Sequence, residues 1–188
     1  MIDINHQKDL SIQDLIRRIH VDEDESAFNE LYKQYIYKLY QFACSFVEDG
    51  EAAEEIVNDV LIKLWTGRKN LGEIRNTQVY LYTSIKNTCL NHLRSVSSKK
   101  NNEQKLIDAY YFHLSVDPSQ LLISKELSNH VLKAVNELPD RCKLIFKMVK
   151  EDDLSCNEVA SILGLSNKTV FAQLAIALKK LDFALNNS

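Results

Sequence analysis

Ser155-Cys156-Asn157-Glu158-Val159-Ala160-Ser161-Ile162-Leu163-Gly164-Leu165-Ser166-Asn167-Lys168-Thr169-Val170 reads as two helices and the turn between them. Ser155 and Glu158 have the spacing of a capping box, in which serine takes one orphan amide and glutamate returns the bond. Gly164 stands where a left-handed C-cap is needed. Ser166 then caps a last helix, whose buried face is predicted to hold Val170, Leu174, Ala177, Leu178 and Leu181. Ala160, Gly164 and Val170 are the small, turn and apolar positions of a helix-turn-helix. An ordinary helical hairpin would share this local pattern.

Working outward, Pro139 ends one helix and opens the next, which carries Ile145, Phe146 and Val149. Leu127, Val131, Val135 and Leu138 form the stripe before it. The first half is also periodic. Ser11 caps a short helix. Phe28, Leu31, Tyr35, Leu39, Phe42 and Phe46 recur at three- and four-residue steps. Asp49 caps a third helix with Ala53, Ile56, Val57, Val60, Leu61 and Leu64 inside. Gly67 and Gly72 bracket a basic loop, and Asn76 or Thr77 caps a fourth helix with Leu81, Tyr82, Ile85, Cys89 and Leu93 inside. Ser95–Asn102 is polar and aperiodic, the start of a flexible linker; 103–118 fits no pattern, although Tyr110-Tyr111-Phe112 would suit transient docking. The expected architecture is all-α: a helical domain over 1–94, a linker over 95–119 and a helix-turn-helix domain over 120–188.

Composition agrees. The 188 residues include only 4 glycines and 2 prolines, where average usage gives about 13 and about 9. That excludes a sandwich or barrel. No apolar run reaches a membrane span. Met1-Ile2-Asp3-Ile4-Asn5 does not open a signal peptide, so a cytoplasmic protein is expected. Cys44, Cys89, Cys142 and Cys156 form no CxxC pair and read as reduced thiols. The five histidines are dispersed, and no metal spacing, phosphate loop or nucleophile motif occurs. No catalytic residue, metal, cofactor or small-molecule substrate is expected.

The net charge of −3 hides a segregation. Glu48 to Asp59 carries six acids and no base. Val60 to Lys105 carries nine bases against Glu73 and Glu103. An acidic helix followed by a basic stretch suits a protein partner and then a polyanion.

The order of segments resembles extracytoplasmic-function (ECF) sigma factors of the sigma-70 family. Phe28–Tyr35 is similar to the family's first helix and Ala53–Trp65 to its polymerase-binding helix. Tyr80–Asn87, with Asn91 and Arg94, is similar to its helix for the minus-10 element, and Leu138–Leu181 to its promoter-binding C-terminal domain. The ending Ala177-Leu178-Lys179-Lys180-Leu181 is similar to ECF factors of Bacteroidetes. The resemblance implies core RNA polymerase and promoter DNA as partners, and commonly a membrane anti-sigma factor. It puts Glu54, Glu55, Asp59, Lys63 and Trp65 at the polymerase, a mixture of charge and aromatic anchor suited to an interface. It makes Thr66–Thr77 the loop that receives a flipped base. Arg68, Lys69 and Arg75 then hold backbone, Lys86 and Arg94 take phosphates, and Asn87 and Asn91 meet a base edge. Ser166, Asn167, Lys168, Thr169, Phe171 and Gln173 fall at the minus-35 element. The last helix departs from the family, because Phe171, Ala172, Ala175 and Ile176 stand where polar or basic residues are usual. Two other classes stay open at this point. One is a one-component helix-turn-helix regulator; the other is a sigma-like decoy that engages polymerase or an anti-sigma without reading upstream DNA.

Overall fold

The computed structural model describes residues 11–97 and 133–186, and every described element is helical. Helix α1 spans Ile12–Val21, α2 Glu25–Cys44, α3 Gly50–Thr66 and α4 Thr77–Ser97, with a 3-10 turn over Arg68–Glu73. In the second half, 133–136 are helical, followed by α5 (Asp140–Lys150), α6 (Cys156–Leu163) and α7 (Asn167–Asn186).

The caps are local and follow the sequence. Ser11 accepts the Asp14 amide at 3.2 Å. Asp49 accepts the Glu51 amide at 3.0 Å. Asn76, rather than Thr77, caps α4, accepting the Val79 amide at 3.0 Å. Asp24 caps α2 through the Ser26 and Ala27 amides and also receives Arg18 at 2.6 Å, which bolts the α1–α2 corner. The capping box of α6 is complete: the Ser155 amide donates to Glu158 Oε2 at 2.7 Å and the Glu158 amide to Ser155 Oγ at 3.3 Å. Gly164 sits at φ 68°, ψ 35°, the left-handed cap that lets α7 turn away from α6.

Helices α1 to α4 pack as one bundle around Leu31, Leu39, Leu61, Leu64, Leu81, Tyr82 and Ile85, all at most 1% exposed. Phe42 stacks edge-on against both Phe46 and Tyr82, at 4.9 and 4.8 Å between ring centroids. Each such fully buried aliphatic side chain contributes about 1.5–3 kcal/mol. All four cysteines are free; Cys89 and Cys142 are buried, and burial pushes the Cys89 thiol up to about 12.

Two details differ from the sequence reading. Helix α4 runs on through Ser95, Val96 and Ser97, past Arg94. Leu178 is 44% exposed and lies outside the buried face of α7, which is formed by Val170, Ala177 and Leu181 with Leu174 half-buried. A residue at 178 sits one position past Ala177, about 100° around the helix, and so leaves the core stripe. The two helical domains also touch each other. Helix α4 packs on α6, and one apolar cluster runs from Leu15 to Val170 through both halves. The rest of the linker from 98, Tyr110-Tyr111-Phe112, the domain start at 120, Leu127 and Val131 lie outside the described residues.

A Cβ on Gly164 would meet nothing within 4 Å, so the cost of adding one is conformational alone. Gly164→Ala is therefore expected to lower stability by about 1 kcal/mol, the penalty for an L residue in the left-handed region. Urea denaturation followed by circular dichroism measures it.

Candidate functional site

The amphipathic pattern of α3 buries Ala52, Ala53, Ile56, Val57, Val60, Leu61 and Leu64 and turns the other side outward. Glu51, Glu54, Glu55, Asp59 and Lys63 are exposed on that side. Ile62 lies among them, 57% exposed. This face has an apolar residue at its centre and a charged surround. Charge spacing does not mark Ile62, although the periodicity of the apolar stripe leaves it on the outward side.

Trp65 is half-buried. Its ring packs on Phe28 at 5.1 Å, and the Arg68 guanidinium lies 4.5 Å over it. Arg68 also pairs with Glu23 and donates to the Trp65 carbonyl at 3.1 Å. The bond from Arg68, with its positive charge, holds the Glu23 carboxyl below the usual carboxylate range. Arg68 is thus a structural clamp on the 3-10 turn. The clamp is completed by His20, whose Nδ1 lies 2.9 Å from the Arg68 carbonyl. Gly72 passes so close to the His20 ring that a Cβ would stand 2.7 Å from Nε2. Lys69 and Arg75 project from this turn, exposed.

On α4, Asn87, Asn91 and Arg94 share an exposed side, and Arg94 donates to Asn91 at 3.0 Å. Lys86 is turned away from them: its Nζ donates to the Ile162 carbonyl at 2.6 Å. Burial there lowers the Lys86 pKa. At the second unit, Ser166 Oγ accepts the Thr169 amide at 3.1 Å and lies 2.8 Å from the Thr169 hydroxyl, so this pair caps α7. Gln173 is half-buried and accepts the Cys142 thiol at 3.0 Å. Asn167, Lys168 and Phe171 remain outward, with Phe171 57% exposed. The structure therefore brings Lys69, Arg75, Asn87, Asn91 and Arg94 to the outside of the first unit. It gives Arg68, Lys86, Thr169 and Gln173 partners inside the protein.

Between the halves lies Asp152, 9% exposed. Burial raises its carboxyl to about 6, against a hydrogen-bonding contribution from Tyr82 and the charges of Lys38 and Lys147, with Glu151 adding to the rise. Tyr35 of α2 also faces it. The Tyr82 hydroxyl points toward this carboxyl but meets no partner at hydrogen-bond geometry, and burial drives its pKa upward.

The described residues thus form a four-helix unit with an acidic face and a basic edge, followed by a helix-turn-helix. Known families match both units in that order. Residues 31–99 match Sigma-70 region 2 and residues 128–181 match Sigma-70, region 4. The chain belongs to the sigma-70 family and is a sigma factor of the ECF type. It is similar to the ECF RNA polymerase sigma-E factor of Escherichia coli (strain K12), 24% identical over 180 residues, 92% of this chain and 93% of that protein. The RNA polymerase sigma-H factor of Pseudomonas aeruginosa is 23% identical over 180 residues, with the same coverage. Among solved structures, the fold is similar to the sigma factor RpoE in complex with the anti-sigma factor NepR from Bartonella quintana. That match has TM-score 0.56 and 20% identity, and covers 85% of this chain and 96% of that one. It is also similar to CnrH in complex with the cytosolic domain of CnrY, with TM-score 0.52 and 19% identity, over 94% of this chain and 97% of that one. No single described helix is long and apolar enough to cross a membrane.

Two outcomes are expected. Arg68→Ala should cost about 1–2 kcal/mol, because it removes a partly desolvated cation–π contact and an ion pair. Lys69→Ala should stay within about 0.5 kcal/mol; chemical denaturation of the two variants compares them. The second outcome concerns pH. A carboxyl whose folded pKa is raised stabilises the packed state when protonated. Asp152 contributes fully below its ordinary value of 3.8, and that contribution is lost as pH rises through about 6. The Tm should therefore fall from about pH 5 to about pH 7, and Asp152→Asn should flatten that slope. Glu23, Asp24 and Glu158 have lowered pKa values and act below this window.

Proposed function

We propose that this sigma factor docks on core RNA polymerase through the exposed side of α3 and reads the melted minus-10 element with the basic edge of the first unit. The observation that carries this reading is the segregation of surfaces. Glu54, Glu55 and Asp59 are exposed together on one helix face, which repels DNA and suits a protein. Lys63 extends that face and Ile62 gives it an apolar centre; Trp65 supports it from beneath through Phe28. Lys69, Arg75 and Arg94 supply phosphate contacts, and Asn87 and Asn91, one turn apart, meet a base edge. Lys86 and Arg68 join this set once released from their internal partners.

At the minus-35 element, Asn167 and Lys168 approach the groove at the start of α7. Phe171 offers apolar contact to thymine methyl groups, while Ser166 and Thr169 hold the helix start and Gln173 steadies it through Cys142. The domain assignment is a first unit that includes all of α4, a connecting segment, and a second unit carrying the helix-turn-helix. The ending Ala177-Leu178-Lys179-Lys180-Leu181 supports a place among ECF factors of Bacteroidetes, and the protein works in the cytoplasm without a catalytic centre of its own. Because the sigma factor RpoE is solved with the anti-sigma factor NepR, an anti-sigma factor is a further partner.

A second reading rests on α7. With Phe171, Ala172, Ala175 and Ile176 exposed, this helix suits a protein surface, and the chain would then engage polymerase without reading upstream DNA. Transcription by purified core polymerase plus this protein on genomic DNA, with sequencing of transcript starts, tests both. New starts sharing minus-10 and minus-35 motifs are expected. Starts sharing only a minus-10 motif favour the second reading, and no new starts refute the first.

Charge reversal of Glu54, Glu55 and Asp59 together should reduce capture by core polymerase while leaving the fold intact, because exposed changes cost under about 0.5 kcal/mol each. Asn87→Ala and Asn91→Ala should change which minus-10 base is preferred, measured by transcription from a set of promoter variants. Equal loss on every variant would make them positioning residues.

A further inference from the structure

Along α5 and its C-cap Glu151, the residues Asp140, Lys143, Leu144, Lys147, Met148 and Glu151 recur at three- and four-residue steps and so share one side of the helix. That side forms one wall of a cleft of about 240 Å³, and Tyr37, Lys38 and Phe42 of α2 form the opposite wall. Phe42, Leu144 and Met148 make its apolar floor.

Lys143 is the unusual member of this wall. Lys147 is half-buried and Lys150 exposed, but Lys143 is only 7% exposed. Its ammonium makes no hydrogen bond and no ion pair among the described residues. Asp140, one turn earlier, favours the charged form without reaching ion-pair distance, while burial and Lys147 lower the Lys143 pKa. Lysine is almost never fully buried without a partner, because an unpaired buried charge is costly. Other polar groups of the cleft are engaged. Lys38 Nζ donates to the Glu151 carbonyl at 3.2 Å, and Lys38 and Lys147 both act on the buried Asp152 carboxyl. Ser45 Oγ donates to the Phe42 carbonyl at 2.6 Å. Lys143 keeps all its donors.

We propose that this cleft is a binding site for a small amphipathic monocarboxylate, with the acid group on Lys143 and the apolar body on Phe42, Leu144 and Met148. The proposal goes beyond the sigma-factor reading and does not rest on it.

Charge and size select the class. Asp140, Glu151 and Asp152 line the same cleft, so a dianion such as a phosphate ester meets repulsion that a single carboxylate on Lys143 offsets. An amine meets the lysine itself. An apolar cavity of about 150 Å³ admits benzene, so this cleft takes one ring or one short chain with its acid group, about ten non-hydrogen atoms in all.

The test uses the full-length chain and two probes, octanoate and phenylacetate, which separate a chain-shaped from a ring-shaped body. Isothermal titration calorimetry is expected to give a dissociation constant of about 0.1–1 mM for the better probe, the range that so few atoms support. Octylamine should bind about 10-fold more weakly than octanoate. Lys143→Met should weaken octanoate about 10-fold or more, the worth of one charge-assisted hydrogen bond, and leave octanol binding unchanged. Leu144→Trp fills the cleft and should remove binding of both. Circular dichroism checks that each variant is folded, and Lys143→Gln replaces Lys143→Met if the latter is not. A lysine with a merely structural role would not respond to the probe. Here the Lys143 side-chain resonance in NMR, assigned by its loss in the variant, should show a raised pKa on saturation with octanoate, because a carboxylate favours the charged form. The proposal is overturned if neither probe binds at millimolar concentration. It is also overturned if octylamine binds as tightly as octanoate, if removing the lysine leaves octanoate binding unchanged, or if binding survives Leu144→Trp.

Discussion

Helix α4 is buried from two sides, and the rest of the structure depends on that. Leu81, Tyr82, Ile85 and Cys89 are fully buried. Its neighbours include α2 and α3 of its own unit and α6 of the other. Tyr82 marks the join: its ring stacks on Phe42 of the first unit and its hydroxyl faces Asp152 of the second. A helix with apolar residues on more than one side needs a second cover, and α6 supplies it. Three consequences meet there: the continuity of the core, the raised carboxyl and the engagement of Lys86.

The basic edge shows how one residue type divides between structure and recognition. Arg68 and Lys69 are adjacent in sequence, but only Arg68 reaches the Trp65 ring and Glu23. Its planar, weakly hydrated guanidinium suits stacking, whereas an ammonium stays hydrated. The 3-10 turn held by Arg68, His20 and buried Leu71 gives Lys69 and Arg75 a rigid base. A rigid base lowers the entropy lost when such side chains order on a ligand.

Local features were legible in the sequence because their causes are local. The capping box at Ser155, the left-handed Gly164 and the Asp49 cap each involve residues within a few positions. The two-unit helical plan followed from periodicity, and the acidic side of α3 from charge spacing. What could not be read depends on contacts distant in sequence. The partners Lys38 and Glu151 are 113 positions apart, Asn76 and Glu158 82, and Lys86 and Ile162 76. No pattern along one helix reveals that a lysine on α4 caps α6. The same limit explains Gln173, whose engagement by Cys142 of α5 is tertiary. Ile62 is a different case: the stripe Ala53, Ile56, Val57, Val60, Leu61 and Leu64 leaves it on the opposite side of the helix, but charge spacing does not mark it.

Ile62 carries a further consequence. The exposed Ile62 adds apolar area to any contact made through this face, including one with another copy of the chain. Here it lies on a face with Glu54, Glu55 and Asp59, so two copies meeting through α3 bring acid against acid, while a basic partner meets no such repulsion. The apolar centre supplies attraction and the acids decide who may use it. That discrimination is electrostatic and therefore salt-dependent: with a screening length of about 10 Å at 0.1 M and about 3 Å at 1 M, the guard weakens as ionic strength rises while the adhesive patch does not. Concentrated salt should thus turn a selective surface into an indiscriminate one.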